Sequence, residues 1–266
     1  MFFMDSLKKY VLDLTVRSVT KVHARYVLIK LTSDEPLPLM QPGQFVEVRV
    51  DGSPSTFLRR PISINFVDYV QNELWLLVAV VGEGTRWMAS LKAGDCLNCM
   101  LPLGNGFSLQ SRDTTLYRVM LVGGGVGVAP LLFLGKVLCE QGTKPTFLLG
   151  ARSKDDLLML SEFEKYGRVM TTTEDGSAGE RGFVTNHSIL SHEQFGLIQT
   201  CGPTAMMKAV ARYAREHGIE CEVSLENLMA CGLGACLCCV ENTVVGHVCV
   251  CKEGPVFNIK KLLWQD

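Results

Sequence analysis

The amino-acid sequence lacks a long apolar run, an excess of charge of either sign, and any internal repeat or low-complexity linker. Its longest apolar run extends only from Leu74 to Val81, whereas a membrane-spanning helix needs about 20 such residues. The formal net charge is −1, which does not favour a nucleic-acid partner. The lysines of MFFMDSLKKY follow a short apolar start, the opposite order from a secretory signal. We therefore expect a soluble cytoplasmic protein.

The first part of the chain has the pattern of an all-β domain. With 266 residues, 47% of them hydrophobic, the chain is long enough for about two domains. Over roughly the first hundred residues, short runs rich in β-branched and aromatic residues are separated by Gly, Pro, Asp and Asn, which predicts a barrel or sandwich. The runs are VLDLTVRSVT, ARYVLIKLT, GQFVEVRV, PISINFV and ELWLLVAVV. A short helix is predicted over residues 84–91.

The middle of the chain alternates between strand and helix patterns, which indicates βαβ units and a parallel sheet. Strands are predicted at residues 116–122, 146–149, 168–172 and 196–200. Helices are predicted at 128–139, from about 155, and at 204–217. The last part of the chain departs from this pattern with CGLGACLCC. The predicted fold class is therefore a multidomain α+β chain, with an antiparallel β-barrel domain (1–112), an α/β parallel-sheet domain (113–222) and a small C-terminal domain (223–266).

Cysteines are unusually frequent near the C-terminus, where six of the eleven fall between Cys231 and Cys251. Cys231, Cys236 and Cys239 have C-x4-C-x2-C spacing, the pattern of a plant-type [2Fe–2S] loop that needs a fourth cysteine further on. A structural zinc site usually shows two C-x2-C pairs, and this C-terminal segment has only one, Cys236 to Cys239. Zinc and plain core thiols remain the alternatives. Spacing alone does not choose between Cys249 and Cys251, and Cys238 has no assigned role.

Two glycine-containing turns follow predicted strands of the α/β domain. The first is Gly123-Gly124-Gly125-Val126-Gly127-Val128-Ala129-Pro130, and the second is Cys201-Gly202-Pro203. A glycine-rich turn that opens a helix exposes N–H groups that bind phosphate. The usual ribose-binding acid is missing after the next strand, where the sequence is Gly150-Ala151-Arg152-Ser153. The turns therefore predict dinucleotide binding, with a tight strand–helix crossing as the alternative.

Two further motifs lie in the β-rich part of the chain. Arg59 and Arg60 begin the run RRPISI, and arginines beside a strand are costly unless they face water or an anion such as pyrophosphate. Gly84 and Thr85 open the predicted short helix, a second place where phosphate can bind. In isolation, each motif could equally be a turn with a surface charge.

Together these motifs resemble the ferredoxin–NADP reductase superfamily, in which an antiparallel barrel binds flavin and a following α/β domain binds the pyridine nucleotide. The resemblance implies that Arg60 holds the FAD pyrophosphate and that Ser63 lies near the isoalloxazine. It assigns FAD binding to Arg60, Pro61, Ile62, Ser63, Leu77, Val78, Ala79, Gly84 and Thr85. It assigns NAD binding to Gly123, Gly124, Gly125, Gly127, Pro130, Cys201, Gly202 and Pro203.

The order barrel, nucleotide domain and cysteine segment is similar to the electron-transfer subunit family of class 1B dihydroorotate dehydrogenase. The segments that carry this resemblance are MACGLGAC, CKEGPVF and Leu103-Gly104-Asn105-Gly106-Phe107. The tail CKEGPVF implies Cys251 as the fourth ligand, so that the implied cluster ligands are Cys231, Cys236, Cys239 and Cys251. The resemblance further implies a domain order of FAD-binding, NAD-binding and [2Fe–2S] domains, and no catalytic residue in this chain.

The family also implies a partner. An FMN-containing catalytic subunit would oxidise dihydroorotate, as part of pyrimidine biosynthesis, and would assemble with this chain as two plus two subunits. Electrons would then pass through [2Fe–2S] and FAD to NAD+. The sequence itself does not separate NAD from NADP, since Arg152 and Ser153 lie where a 2′-phosphate could bind.

Three other functions remain open. The small subunit of NADH-dependent ferredoxin–NADP oxidoreductase has the same domain order, but its family has aspartate where this chain has Cys231. A reductase serving an oxygenase is the second. The third, of another class, is a redox-sensing or zinc-stapled binding module without turnover.

Overall fold

The structure is a computed structural model that describes residues 8–53, 55–109 and 118–264. The described residues divide into two compact units. The first comprises the chain up to Gly106 together with residues 226–241 and 247–255, and the second comprises residues from Phe107 to Leu225, 242–246 and from Val256 onward. Within the described ranges, no helix is both long enough and apolar enough to cross a membrane.

Six antiparallel strands of the first unit close into a barrel in the order β1-β2-β5-β4-β3-β6. Their alternate side chains fill the interior: Leu14 and Leu97 lie opposite each other and are fully buried, whereas Val11 on the other face of β1 is exposed. Such alternation is the ordinary period of a strand with one buried face. The strands are β1 (Tyr10–His23), β2 (Tyr26–Thr32), β3 (Phe45–Val48), β4 (Arg60–Asp68), β5 (Glu73–Ala79) and β6 (Cys96–Leu103), and helix α1 (Glu83–Ser90) follows β5.

The second unit contains a seven-stranded sheet in the order β10-β9-β8-β7-β11-β12-β15. All neighbouring pairs are parallel except β12 with β15, which is antiparallel. The strands are β7 (Val119–Gly124), β8 (Thr146–Ala151), β9 (Arg168–Thr173), β10 (Glu180–Arg181), β11 (Leu197–Cys201), β12 (Glu220–Ser224) and β15 (Val256–Asn258). The helices are α2 (Ala129–Glu140), α3 (Leu160–Phe163), α4 (Ile189–His192) and α5 (Thr204–Glu216).

Near the C-terminus, strands β13 (Val240–Thr243) and β14 (Gly246–Cys249) form a two-stranded sheet, and the short helix α6 (Val250–Glu253) follows. The hydroxyl of Thr243 donates to the carbonyl of Gly246 and closes the turn between the two strands. The barrel, the parallel sheet and this C-terminal segment confirm the predicted fold class. The boundaries of three separate domains, at 112/113 and 222/223, stay a prediction, and the first of them lies outside the described residues.

Most predicted elements lie within two residues of the observed ones, but the helix expected to begin near Asp155 is wrong. A 3-10 turn over Lys154–Asp156 and the four-residue α3 occupy that region instead. The hydroxyl of Ser153 donates to the carboxylate of Asp156, a local bond that competes with helix formation, and Met159 has a left-handed φ of 55°. Residues 116 and 117 of the predicted first sheet strand are outside the described ranges.

Helix α2 packs on the sheet through Gly135, and this contact generates a test of the fold. A Cβ at Gly135 would lie 2.3 Å from Cζ of Phe147, and Phe147 itself packs edge-on against Phe163 with ring centroids 4.9 Å apart. Gly135→Ala should therefore lower the midpoint of denaturant unfolding, with overpacking costing about 1–3 kcal/mol despite the better helix propensity of alanine.

A double-mutant cycle with Phe147→Leu identifies the cause, because a smaller residue at position 147 makes room for the added methyl. The double variant should lose less stability than the sum of the two single variants. Strictly additive losses would show that Gly135 and Phe147 do not constrain each other.

Candidate functional site

The cysteine segment of residues 231–239 is an irregular loop in the first unit. Gly232, Gly234 and Leu237 have φ angles of 65°, 80° and 58°, so the loop turns through left-handed conformations that expose its N–H groups. Cys239 and Cys251 are buried, and Cys236 is exposed. The structure thus presents the cysteines on one compact loop and on the helix α6 that packs beside it.

Backbone N–H groups of this region point at the sulfur atoms. The N–H of Gly234 lies 3.1 Å from Sγ of Cys251, the N–H of Leu233 lies 3.4 Å from Sγ of Cys231, and the N–H of Cys251 lies 3.3 Å from Sγ of Cys239. Donors aimed at sulfur stabilise thiolates and the sulfur atoms of iron–sulfur clusters. The donor set therefore fits a group ligated by thiolates.

This environment changes the pKa values of two of the thiols in opposite directions. Burial opposes ionisation of Cys231, but the N–H groups of Leu233 and Cys236 outweigh it, and the pKa of Cys231 falls to about 6. Burial, followed by the neighbouring Cys239, raises the pKa of Cys251 to about 12. Closely spaced thiols cannot all lose their protons without a compensating cation, so metal loading would release protons here.

The structure distinguishes the two cysteines that spacing left open. Cys251 is buried and receives the N–H of Gly234, whereas Sγ of Cys249 contacts the carbonyl oxygen of Gly234 at 3.7 Å. Cys238 is exposed. This geometry supports Cys251 as the fourth ligand, although the ligand set itself stays a prediction. Among the described residues, no group of three or more His, Cys, Asp or Glu side chains is arranged to hold a single metal ion.

Two segments that resembled the family lie against each other. The N–H of Asn105 donates to the carbonyl of Gly254 at 2.6 Å, and the side-chain amide of Asn105 donates to the carbonyl of Lys252 at 3.0 Å. A Cβ at Gly104 would lie 2.5 Å from Cδ of Pro255. The end of β6 therefore anchors the C-x-E-G-P tail that carries Cys251.

Sequence reasoning missed Glu47, which lies behind the cysteine loop. Its side chain is fully buried, and neither carboxylate oxygen has a hydrogen-bond partner among the residues that the structure describes. A Cβ at Gly232 would lie 2.8 Å from Cγ of Glu47. In the sequence, Glu47 belongs to the alternating run GQFVEVRV and is indistinguishable from an exposed strand residue.

The phosphate motif of the barrel is assembled from two elements. Nε of Arg60, at the start of β4, lies 3.4 Å from where a Cβ of Gly84 would be, in the first turn of α1. The hydroxyl of Thr85 accepts the N–H of Gly82 and caps that turn. The buried hydroxyls of Ser53 and Thr56, another pair that the sequence did not reveal, bond to each other at 2.8 Å nearby. An arginine beside a helix N-terminus fits a pyrophosphate.

Strands β4 and β5 separate beside this motif. Their pairing runs from Asp68 opposite Glu73 to Ile64 opposite Leu76 and extends no further. Beyond it, Arg60–Ser63 pairs only with β3, and Leu77–Ala79 pairs only with β2. The β4–β5 ladder, as far as the structure describes it, thus ends before the predicted FAD residues Pro61, Ile62, Ser63, Leu77, Val78 and Ala79, and backbone groups outside a ladder can bond a flat polar ring.

The two glycine motifs of the second unit touch each other. Strands β7 and β11 are parallel neighbours with Cys201 opposite Gly123, so both motifs lie at the carboxyl edge of the sheet. A Cβ at Gly127 would lie 2.4 Å from Cα of Gly202, and one at Gly124 would lie 3.2 Å from Cδ of Pro203. Gly125 begins the 3-10 turn before α2, and Pro130 lies in the first turn of that helix. Such an edge is where open α/β sheets bind nucleotides.

Acidic side chains lie beyond the end of β8, near Arg152 and Ser153, the residues considered for binding a 2′-phosphate. The hydroxyl of Ser153 is already bonded to Asp156, and the hydroxyl of Ser177 accepts the N–H of Lys154 while it donates to Asp175. Ser177 lowers the pKa of Asp175 and keeps that carboxylate ionised. These carboxylates would oppose a 2′-phosphate, whereas the exposed Arg152 and Lys154 lie in the same segment.

Comparison with family models gives two matches. Residues 226–263 match the iron–sulfur cluster binding domain of dihydroorotate dehydrogenase B, and residues 121–212 match the oxidoreductase NAD-binding domain. The models confirm the predicted iron–sulfur and NAD-binding regions.

Solved structures support the fold. The first is a structure of NADH-dependent reduced ferredoxin–NADP oxidoreductase that concerns flavin-based electron bifurcation. Its TM-score is 0.84 and its sequence is 31% identical, over 94% of this chain and 90% of the other chain. The ferredoxin reductase of carbazole 1,9a-dioxygenase, at 19% identity, has a TM-score of 0.66 over 80% of this chain and 67% of its own. The fold shared with these reductases agrees with the predicted FAD.

Curated relatives carry one name, dihydroorotate dehydrogenase B (NAD(+)), electron transfer subunit. The protein of Fusobacterium nucleatum is 37% identical over 92% of this chain and 95% of its own length. That of Streptococcus pneumoniae serotype 4 is 40% identical over 84% of this chain and 90% of its own length. Since this identity extends over most of both chains and the cluster-domain model matches the cysteine segment, the chain belongs to the family of electron transfer subunits of dihydroorotate dehydrogenase B.

Proposed function

We propose that this chain is the electron-transfer subunit of a cytoplasmic dihydroorotate dehydrogenase in pyrimidine biosynthesis, delivering electrons from the FMN of a catalytic subunit to NAD+. The observation that carries the proposal is the cysteine loop, whose N–H groups point at three of the four sulfur atoms of Cys231, Cys236, Cys239 and Cys251. A cluster held there, FAD held at β4 and α1, and NAD held at the two glycine turns make up the proposed route.

Each set of residues performs a binding task in this route. Arg60 and the first turn of α1 would hold the pyrophosphate of FAD, and the gap between β4 and β5 would hold its ring. The turn from Gly123 to Gly127, with Cys201-Gly202-Pro203, would hold the nucleotide. When bound, the flavin supplies the exchange between single electrons and a hydride that a nicotinamide requires. No side chain of this chain needs to act as an acid or base, so no catalytic residue is assigned.

The catalytic partner would dock on the cysteine loop. Apolar side chains are exposed on and around it: Leu228 is 86% exposed and Leu237 is 65% exposed, and Leu233 is also exposed. Exposed apolar side chains beside an exposed ligand, Cys236, support an interface through which electrons enter. By family resemblance, two such chains would assemble with a dimer of the FMN-containing subunit.

The small subunit of NADH-dependent ferredoxin–NADP oxidoreductase is a second candidate, favoured by the solved structure with a TM-score of 0.84. Cys231 opposes it, since that family has aspartate at this position. The acidic groups beside Ser153 support NAD rather than NADP.

The central prediction is that the chain, purified with cluster and FAD and mixed with the FMN-containing catalytic subunit, reduces NAD+ when dihydroorotate is added. NADH formation at 340 nm measures it, and NADP+ should react at least about tenfold more slowly, because roughly 1.4 kcal/mol of charge repulsion is enough for that ratio. No NADH formation from dihydroorotate, with a bound flavin that NADH still reduces, would instead favour the second candidate. A colourless zinc protein would indicate a binding module.

Replacement of one exposed cysteine tests the ligand set. Cys236→Ser should abolish the visible bands of the cluster and the dihydroorotate-dependent reduction of NAD+, while NADH still reduces the bound flavin, because the nucleotide site lies in the other unit. Cys238→Ser is the matched control, since Cys238 is equally exposed on the same loop and should leave both signals intact. Loss of the cluster in the control alone would reverse the assignment.

Arg60→Gln tests the flavin site. Loss of one charge-assisted contact to pyrophosphate, about 1.5–3 kcal/mol, should weaken FAD binding roughly 10- to 100-fold in a fluorescence titration of flavin-stripped protein. Arg49→Gln is the control, because Arg49 is half-exposed and paired with Asp51. Equal affinities of Arg60→Gln and the wild type would place the pyrophosphate elsewhere.

A further inference from the structure

Glu47 lies on the outer face of the barrel. On β6 its cross-strand neighbour is Met100, which in turn lies opposite the exposed Val11 of β1. Because paired residues of antiparallel strands share a face, the side chain of Glu47 points away from the barrel interior. The adjacent Val46 and Val48 point inward.

The cysteine loop is what covers this carboxyl. A Cβ on Gly232 would lie 2.8 Å from Cγ and 3.3 Å from Oε1 of Glu47, and 3.0 Å from Cδ1 of Leu103. Gly232 directly follows Cys231, so the carboxyl lies immediately behind a proposed cluster ligand. The exposure of the glutamate is 0%, although a strand residue facing outward is normally solvated.

Within the described part of the chain, no hydrogen bond compensates for this burial. Both carboxylate oxygens are buried without a partner there, whereas buried charged groups are ordinarily paired. The guanidinium of Arg59 instead donates hydrogen bonds to the backbone carbonyl of Glu47 and to the side chain of Asn98. Burial raises the pKa of Glu47 to about 7, Arg59 and Arg60 lower it, and Cys231 raises it. A glutamine or a leucine would fill the same space at a smaller cost, so the carboxyl is not explained by packing.

We propose that Glu47 is an electrostatic positioning residue for the iron–sulfur site, whose carboxylate lowers the reduction potential of the cluster held by the cysteine loop. This rests on the proposed ligand set. Glu47 is fully buried behind the loop, so its negative charge is weakly screened on the side that faces Cys231 and opposes the addition of an electron to the cluster. A lower potential favours onward transfer to FAD over retention of the electron.

The test compares cluster potentials in the chain purified with its cluster and FAD. Potentials are measured at about pH 8.5, which favours the ionised carboxylate, by redox titration monitored through the electron paramagnetic resonance signal of the reduced cluster. Glu47→Gln should raise the potential enough to change the reduced-to-oxidised ratio at least about tenfold, which is 59 mV for one electron. Glu47→Asp keeps the charge and should stay closer to the wild type. Glu35→Gln, which neutralises an exposed carboxylate on the same unit, should change nothing.

Equal potentials in Glu47→Gln and the wild type, with matching cluster spectra, would overturn the inference and leave the proposed function intact. If Glu47→Gln loads poorly, the resonance signal still reports the loaded fraction, and Glu47→Met provides a second neutral variant. If neither neutral variant holds a cluster, Glu47 is a structural residue and the inference is also overturned. If the wild type itself shows no cluster bands, it is the proposed function that fails.

Discussion

The missing Cβ at Gly127 lets the turn after β7 press against Gly202 at the end of β11, and the proposed nucleotide site depends on that contact. A methyl group there would separate two backbone turns whose N–H groups are proposed to bind phosphate. The same constraint acts in the first unit, where Gly232 allows the cysteine loop to lie directly on the barrel. In both units, close contact between backbone segments positions the proposed binding sites. The side chains of Arg60 and of the cysteines add the groups that would bind the cofactors.

The sequence predicted those elements that depend on residues close together in the chain, and it missed those that depend on distant residues. Runs rich in β-branched and aromatic residues predicted five barrel strands, and glycine-rich turns predicted where β7 and β11 end, because these signals are local. The helix near Asp155 failed because the hydroxyl of Ser153 bonds to Asp156, a competition that periodicity does not reveal. The antiparallel strand β15 also went unrecognised, since its partner β12 is far away along the chain.

In the candidate site, too, local patterns were predicted from the sequence and contacts between distant residues were not. C-x4-C-x2-C spacing predicted the cysteine loop but left Cys249 and Cys251 open. The resemblance of the tail favours Cys251, and the N–H of Gly234, which points at its sulfur atom, supports that prediction. Glu47 was beyond sequence reasoning altogether. Its neighbours Val46 and Val48 are buried by the barrel, whereas Glu47 is buried by a loop about 185 positions later in the chain, and such tertiary cover overrides the local pattern.

The contact between Gly232 and Glu47 also limits how freely the cysteine segment could be moved between proteins. The loop is shaped to one particular strand of one particular barrel, at the level of a single missing methyl group. Transplanting residues 226–255 onto another flavin-binding barrel would require a side chain of matching volume at the position of Glu47, and a turn that can replace Asn105 in anchoring the tail. The segment is therefore not an interchangeable module, and we expect it to evolve together with the barrel on which it packs.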